Sequence, residues 1–150
     1  MKKRFWIVLF SMLLAGFIFA GAAAADQKED VMALLKKGHD YIKANGFEKA
    51  AEVFPTPDFK NGELHLFAYS YDGVVRAHGS KPARVGKNLS KLKTPEGDYH
   101  ILNLIKKAKS GGDWHEYRWM HPKKKKLMEK ESYIMPIEGI DGFIGCGFWK

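Results

Sequence analysis

Residues Trp114–Pro136, WHEYRWMHPKKKKLMEKESYIMP, decide how this chain folds. The stretch reads as two strands joined by a basic turn. Trp114–Met120 is dense in aromatic residues, which suit a pleated, half-buried surface. Alternation puts His115, Tyr117, Trp119 and His121 on one side and Trp114, Glu116, Arg118 and Met120 on the other. Pro122 stops the first strand, Lys123–Lys126 forms a solvated turn, and Leu127–Met135 returns until Pro136 ends it. Both sides mix rings with polar heads, whereas a plain sandwich strand is apolar on one side. Apolar walls with a few placed donors are what a small-molecule pocket needs. The plainer alternative is a half-exposed hairpin with rings in the core and charges in water.

Working outward, the N-terminus has a positive start at Lys2, Lys3 and Arg4, then an apolar run from Phe5 to Ala20 broken only by Ser11 and Gly16. Ala23 and Ala25 make an A-x-A site before Asp26. This is the pattern of a secretory signal peptide, so residues 1–25 are expected to be a leader and 26–150 a single domain, periplasmic or secreted. The alternative is a retained anchor, since the run approaches the ~20 residues needed to span a bilayer. About 125 residues then remain, enough for one domain with one modest core.

The chain carries a net charge of +8, and removing the three N-terminal positives leaves +5. Lys123–Lys126 accounts for most of that excess; it could touch anionic lipid or an acidic partner. Nucleic acid is not an expected partner of an exported protein. Cys146 is the single cysteine, which excludes an intrachain disulfide, a CxxC redox pair and a CxxCH haem site. The six histidines are scattered without metal-ligand spacing, so neither a metal nor a cofactor is expected. No serine lies in a G-x-S-x-G elbow, and Cys146 sits in an apolar run without electropositive help. An enzyme is therefore not expected.

Asp26–Asn45 has an apolar stripe at helical spacing (Val31, Leu34, Leu35, Tyr41, Ile42), and Asn45-Gly46 is a stop signal. Phe47–Phe54 reads as a second short helix. Glu63–Tyr71 alternates His65, Phe67, Tyr69 and Tyr71 against Leu64, Leu66, Ala68 and Ser70. Asp72-Gly73 is a hairpin signal and Val74–His78 the returning strand. Gly79–Leu92 is an irregular basic crossing, Tyr99–Lys109 has helical spacing, and Phe143–Trp149 is a final strand. Five antiparallel strands with helices at the start and in the middle make an α+β domain.

In this order, YDGVVRAHGSKPARVGKNLSKLKTPEGDYHI, GGDWHEYRWMHP and KKKKLMEKESYIMPIEGIDGFIGCGFW resemble the single Cache domain of the second type, an extracytoplasmic, PAS-like sensor domain. The pieces that carry the resemblance are Asp72-Gly73, Gly86–Leu89, Trp114 with Tyr117 and Trp119, Lys130 with Tyr133, and Gly145-Cys-Gly147. His78-Gly79 departs from the His-Pro common in that family. The resemblance implies a five-stranded antiparallel sheet with a long N-terminal helix on one face. A pocket loop and helix would cover the other face and hold a small organic ligand, often a short carboxylate. It also implies that the signal passes to another protein, such as a membrane-bound signalling protein.

Buried anions need cations or several donors. The residues expected to line the pocket are Tyr69, His78, Arg84, Tyr117, Trp119, Lys130 and Tyr133. Lys130 and Tyr133 lie on opposite sides of a regular strand, so both can do so only if a bulge or the loop intervenes. The alternative function is an exported protein-interaction module whose basic turn contacts a membrane sensor or another subunit, without a small ligand.

Overall fold

The computed structural model describes residues 18–150. Most of the expected leader, residues 1–17, lies outside the described residues. Helix α1 (Ile18–Val53) begins earlier than Asp26, because the alanine-rich run before it is itself a strong helix former. The expected break at Asn45-Gly46 is real: Gly46 adopts φ 82° and ψ 173°, non-helical angles that divide α1 into a long arm and a short one. No helix among the described residues is long and apolar enough to cross a membrane.

The sheet contains β1 (Lys60–Asn61), β2 (Leu64–Tyr69), β3 (Val75–His78), β4 (Asp113–Met120), β5 (Leu127–Pro136) and β6 (Phe143–Trp149). All pairings are antiparallel. The path is β1-β2-β6-β5-β4, with β3 also on β2, so the first hairpin and the β4–β5 hairpin are bridged by the last strand. Five of these strands match the sequence expectation. The two-residue β1 is additional, paired to β2 around the Gly62 turn, where φ is 58°.

Alternation along β2 and β6 gives the sheet two apolar faces. Leu64, Leu66 and Ala68 of β2 and Ile144, Cys146 and Phe148 of β6 pack with Val31, Leu34, Leu35, Ile42, Phe47 and Ala50 of α1. Gly38 lets the helix approach closely, since a Cβ there would collide with Leu66 and Ile144. Cys146 is completely buried on this face, and burial pushes its thiol up to about 12, so it behaves as a small hydrophobe. On the other face, Phe67, Tyr69, Ile134 and Phe143 pack with Ile101, Leu104, Ile105 and Ala108 of α2 (His100–Lys109). The glycines of β6 leave room there: the Phe67 ring and Ser132 Oγ occupy the space that side chains at Gly145 and Gly147 would need.

The crossing from β3 to α2 is irregular yet tied down. The Gly86 N–H donates to Val75 O at 2.8 Å, the Val75 N–H to Lys87 O at 3.0 Å, and the Leu89 N–H to Gly73 O at 2.9 Å. Gly79, where the family it resembles commonly has proline, uses its N–H to bond Leu66 O at 2.8 Å. The hydrogen bond extends the β2–β3 pairing by one residue. The loop therefore stays against the sheet and roofs the space beside β2, β4 and β5.

Candidate functional site

Between that roof, α2 and the sheet lies a cavity of about 70 Å³. Strand alternation aims His65, Phe67 and Tyr69 of β2, Tyr117 and Trp119 of β4 and Lys130 of β5 into it, while the crossing adds Ser80, Lys81, Arg84 and Leu92. His100, Ile101 and Leu104 come from α2, and Trp149 from β6. Among the described residues the lining holds three cationic side chains, Lys81, Arg84 and Lys130, and no aspartate or glutamate.

Lys130 dominates the electrostatics. It is 6% exposed, its ammonium lies 5.1 Å from the centre of the Trp149 ring, and among the described residues it makes no ion pair. Burial holds its pKa down to about 8, from an ordinary 10.5. The neighbouring Glu129 and Glu131 do not help, because alternation turns both to the opposite side of β5. Glu131 bonds Lys28 of α1 at 2.7 Å. At neutral pH the cavity thus contains a charged group taken out of water without a counter-ion, an expensive arrangement.

The remaining polar groups are neutral. His78 Nδ1 accepts the N–H groups of Lys81 at 3.1 Å and Ser80 at 3.3 Å, so the ring proton resides on Nε2, which is left as a donor. Burial, reinforced by the nearby His65 and by Lys130 and Arg84, pushes the His78 pKa down to about 2. His100 packs at a tilt against Tyr117, with centroids 4.3 Å apart, and against Trp119 at 4.9 Å. Its Nδ1 is buried without a hydrogen-bond partner, and burial, followed by the charges of His115 and Lys130, holds its pKa near 3. Tyr117 bonds Ser132 Oγ at 3.1 Å. Burial pushes both Tyr69 and Tyr117 up to about 12, so both keep their hydroxyl protons. The site therefore offers one desolvated cation (Lys130), one half-buried (Arg84), one exposed at the rim (Lys81) and a ring of neutral donors on aromatic walls.

Six of the seven residues singled out in the sequence come together here: Tyr69, His78, Arg84, Tyr117, Trp119 and Lys130. Tyr133 does not. β5 is regular, with Tyr133 paired to Trp114 and Cys146 and no bulge between Lys130 and Tyr133, so its ring falls on the α1 face. There it packs edge-on to Trp114 at 5.3 Å. Sequence reasoning also passed over His65, Lys81, His100 and Trp149. His65 shares the β2 alternation with Tyr69 and was recognisable from it. His100 begins α2, where helical spacing marks Ile101 and Leu104 but says nothing of the first residue. Among the described residues no group of three histidine, cysteine or acidic side chains is placed to hold a metal ion.

Comparison with known proteins decides the family. The sequence profile of the single Cache domain 2 family matches residues 28–149, nearly all of the described chain. The chain belongs to this family. This single Cache domain is 31% identical over 115 residues to the sensor histidine kinase MctS of Rhizobium johnstonii, covering 73% of the chain but only 24% of that kinase. Its fold matches a methyl-accepting chemotaxis protein of Vibrio parahaemolyticus with a TM-score of 0.69 and 26% identity, over 86% of this chain and 92% of that one. It also matches a structure described as the basis for carboxylic acid recognition by a Cache chemosensory domain, with a TM-score of 0.63 and 16% identity over 87% and 95% of the two chains. That identity speaks for the fold alone. The PAS-like α+β architecture is thus shared with chemotaxis receptors and sensor kinases, and the single Cache domain is a sensory, ligand-binding family.

Proposed function

We propose that this Cache domain senses a short organic anion, a carboxylate of two to four carbons, held in the cavity by Lys130. One observation carries the reading: a buried ammonium faces a cavity that contains no acidic side chain. An arriving carboxylate supplies the missing counter-charge, and a charge-assisted hydrogen bond is roughly twice as strong as a neutral one. Arg84, His78 Nε2–H and the Tyr69 and Tyr117 hydroxyls are the remaining donors. Trp119 and Phe67 provide the apolar wall for a short carbon chain. The cavity, about 70 Å³, favours a ligand of a few carbons over a long chain. The carboxylic acid ligand of the fold neighbour agrees with this class.

The chain is proposed to be exported through residues 1–25 and to hand its state to a separate membrane-bound signalling protein, as befits a relative of a sensor kinase. In a thermal-shift screen at pH 7, acetate, propionate and their hydroxy and oxo derivatives are expected to raise Tm, whereas propionamide, of the same shape without the charge, has no effect. At 100 times the dissociation constant the gain is about 2.7 kcal/mol. Equal shifts from propionate and propionamide, or none from any carboxylate, would refute the reading.

A further inference from the structure

The tip of the β4–β5 hairpin begins at the rim of the cavity, where Met120 and Pro122 complete its lining. Lys123, Lys124, Lys125 and Lys126 are all exposed. Lys123 reaches Glu63 at 3.1 Å, and the other three have no acidic partner among the described residues. Beside them Met120 and Leu127, paired across the hairpin, are 51% and 37% exposed. The tip is also held in shape. His121, 1% exposed, packs on Trp149 at 4.6 Å. Its Nδ1 accepts the N–H groups of Lys123 and Lys124 at 3.2 Å each. Its backbone donates to Lys126 O at 2.9 Å and accepts from Lys125 N at 3.0 Å. Four cations and two apolar side chains are therefore presented together from a fixed backbone.

The position of the tip indicates what it faces. α1 runs antiparallel to β6: Phe47 lies against Gly142, Gly38 against Ile144, and Gln27 shares a groove with Phe148 and Trp149. Lys28 of α1 meets Glu131 of β5. From that level α1 continues ten residues back to Ile18, roughly 15 Å, and the sequence preceding Asp26 is the apolar run Phe5–Ala20, which holds the helix start at a bilayer where the run is retained as an anchor. From the same level β5 extends four residues the same way to Leu127, roughly 13 Å. The helix start and the hairpin tip therefore project side by side from one end of the domain.

We propose that this tip docks on an anionic lipid surface, with Lys123–Lys126 among the headgroups and Met120 and Leu127 at the level of the upper acyl chains. Lysine stems and exposed apolar side chains around fixed charges suit that boundary. Each lysine near such a surface strengthens attachment about fivefold.

The full chain can be reconstituted in vesicles with a water-quenchable fluorophore on Lys125→Cys, and with Glu138→Cys in the β5–β6 turn at the opposite end as control. Cys146 is fully buried and stays unlabelled. In vesicles of phosphatidylglycerol with phosphatidylcholine, iodide quenching at position 125 should fall several-fold. The protection should vanish in high salt, in phosphatidylcholine alone, and in Lys123→Gln/Lys124→Gln/Lys126→Gln. Position 138 should stay open throughout. Equal quenching in both lipids, or protection equal at 125 and 138, would overturn the proposal. So would protection found in native membranes and absent from pure lipid vesicles, which would point to an acidic protein partner.

Discussion

Replacing Lys130 with methionine should weaken capture of the carboxylate at least tens of fold and at the same time make the free domain more stable. Both effects follow from one geometry. Truncating one partner of a buried, hydrogen-bonded charge pair costs 2–5 kcal/mol or more, so affinity should drop about 30-fold to several thousand-fold. In the free protein the same charge is a burden. Depression of its pKa from 10.5 to about 8 corresponds to a penalty of about 3 kcal/mol on the charged form. Methionine keeps the stem's bulk in the cavity without the charge, so the unliganded variant should gain about 1–3 kcal/mol, a rise of several degrees in Tm. Calorimetric titration with propionate and urea unfolding of the two free proteins measure the two sides. A variant that is less stable yet still binds would show that the ammonium is neither strained nor the anchor.

A second large effect is acid sensitivity. His78 and His100 are each 7% exposed and have native pKa values of about 2 and about 3, against an ordinary 6.5. Both are bases whose pKa is depressed by folding. Below pH 6.5 the unfolded chain binds two protons that the native state does not, so stability falls as pH falls. The slope is up to about 2.7 kcal/mol per pH unit. Between pH 6.5 and 5 the domain should lose roughly 3–4 kcal/mol, a large share of a typical 5–15 kcal/mol. His65, only partly buried, adds a smaller, solvent-screened share in the same direction. Urea unfolding at pH 7.5 and pH 5 measures this. The double variant His78→Asn/His100→Phe should flatten the dependence, because asparagine can still accept the Ser80 and Lys81 N–H groups and phenylalanine keeps an aromatic ring packed against Tyr117. Equal stability of the wild type at the two pH values would mean that these rings titrate normally.

Most of the fold could be read from side-chain periodicity. The alternation of His65, Phe67 and Tyr69 against Leu64, Leu66 and Ala68 separated the cavity face from the helix face of β2, because a strand's period of two is local. The same rule sent Tyr117 and Trp119 one way and Trp114 the other. It also warned that Tyr133 could join Lys130 only through a bulge: grouping the two followed the family's motif spacing, and the unbroken register of β5 overrides that grouping. Contacts made by irregular backbone were not legible. Lys81 and Ser80 reach the cavity because three hydrogen bonds tie their loop to β3 and its turn, and the His78 tautomer is set by two amides of that loop. No local pattern encodes such contacts. His100 and Trp149 lie at the ends of their elements, where periodicity carries least information. The isolation of Lys130 depends on which acids are absent from the surrounding elements, a property of the whole fold.

Direct observation of the Lys130 side chain by NMR, with ¹⁵N- and ¹³C-labelled lysine, tests the account at its centre. In the free chain one lysine should titrate near pH 8 and disappear in Lys130→Met; with saturating propionate its pKa should rise back toward the ordinary 10.5, since a paired ammonium holds its proton. Affinity should accordingly be flat below pH 8 and weaken above it. A Lys130 that titrates near 10.5 in the free chain, or that does not respond to carboxylate, would contradict the central claim.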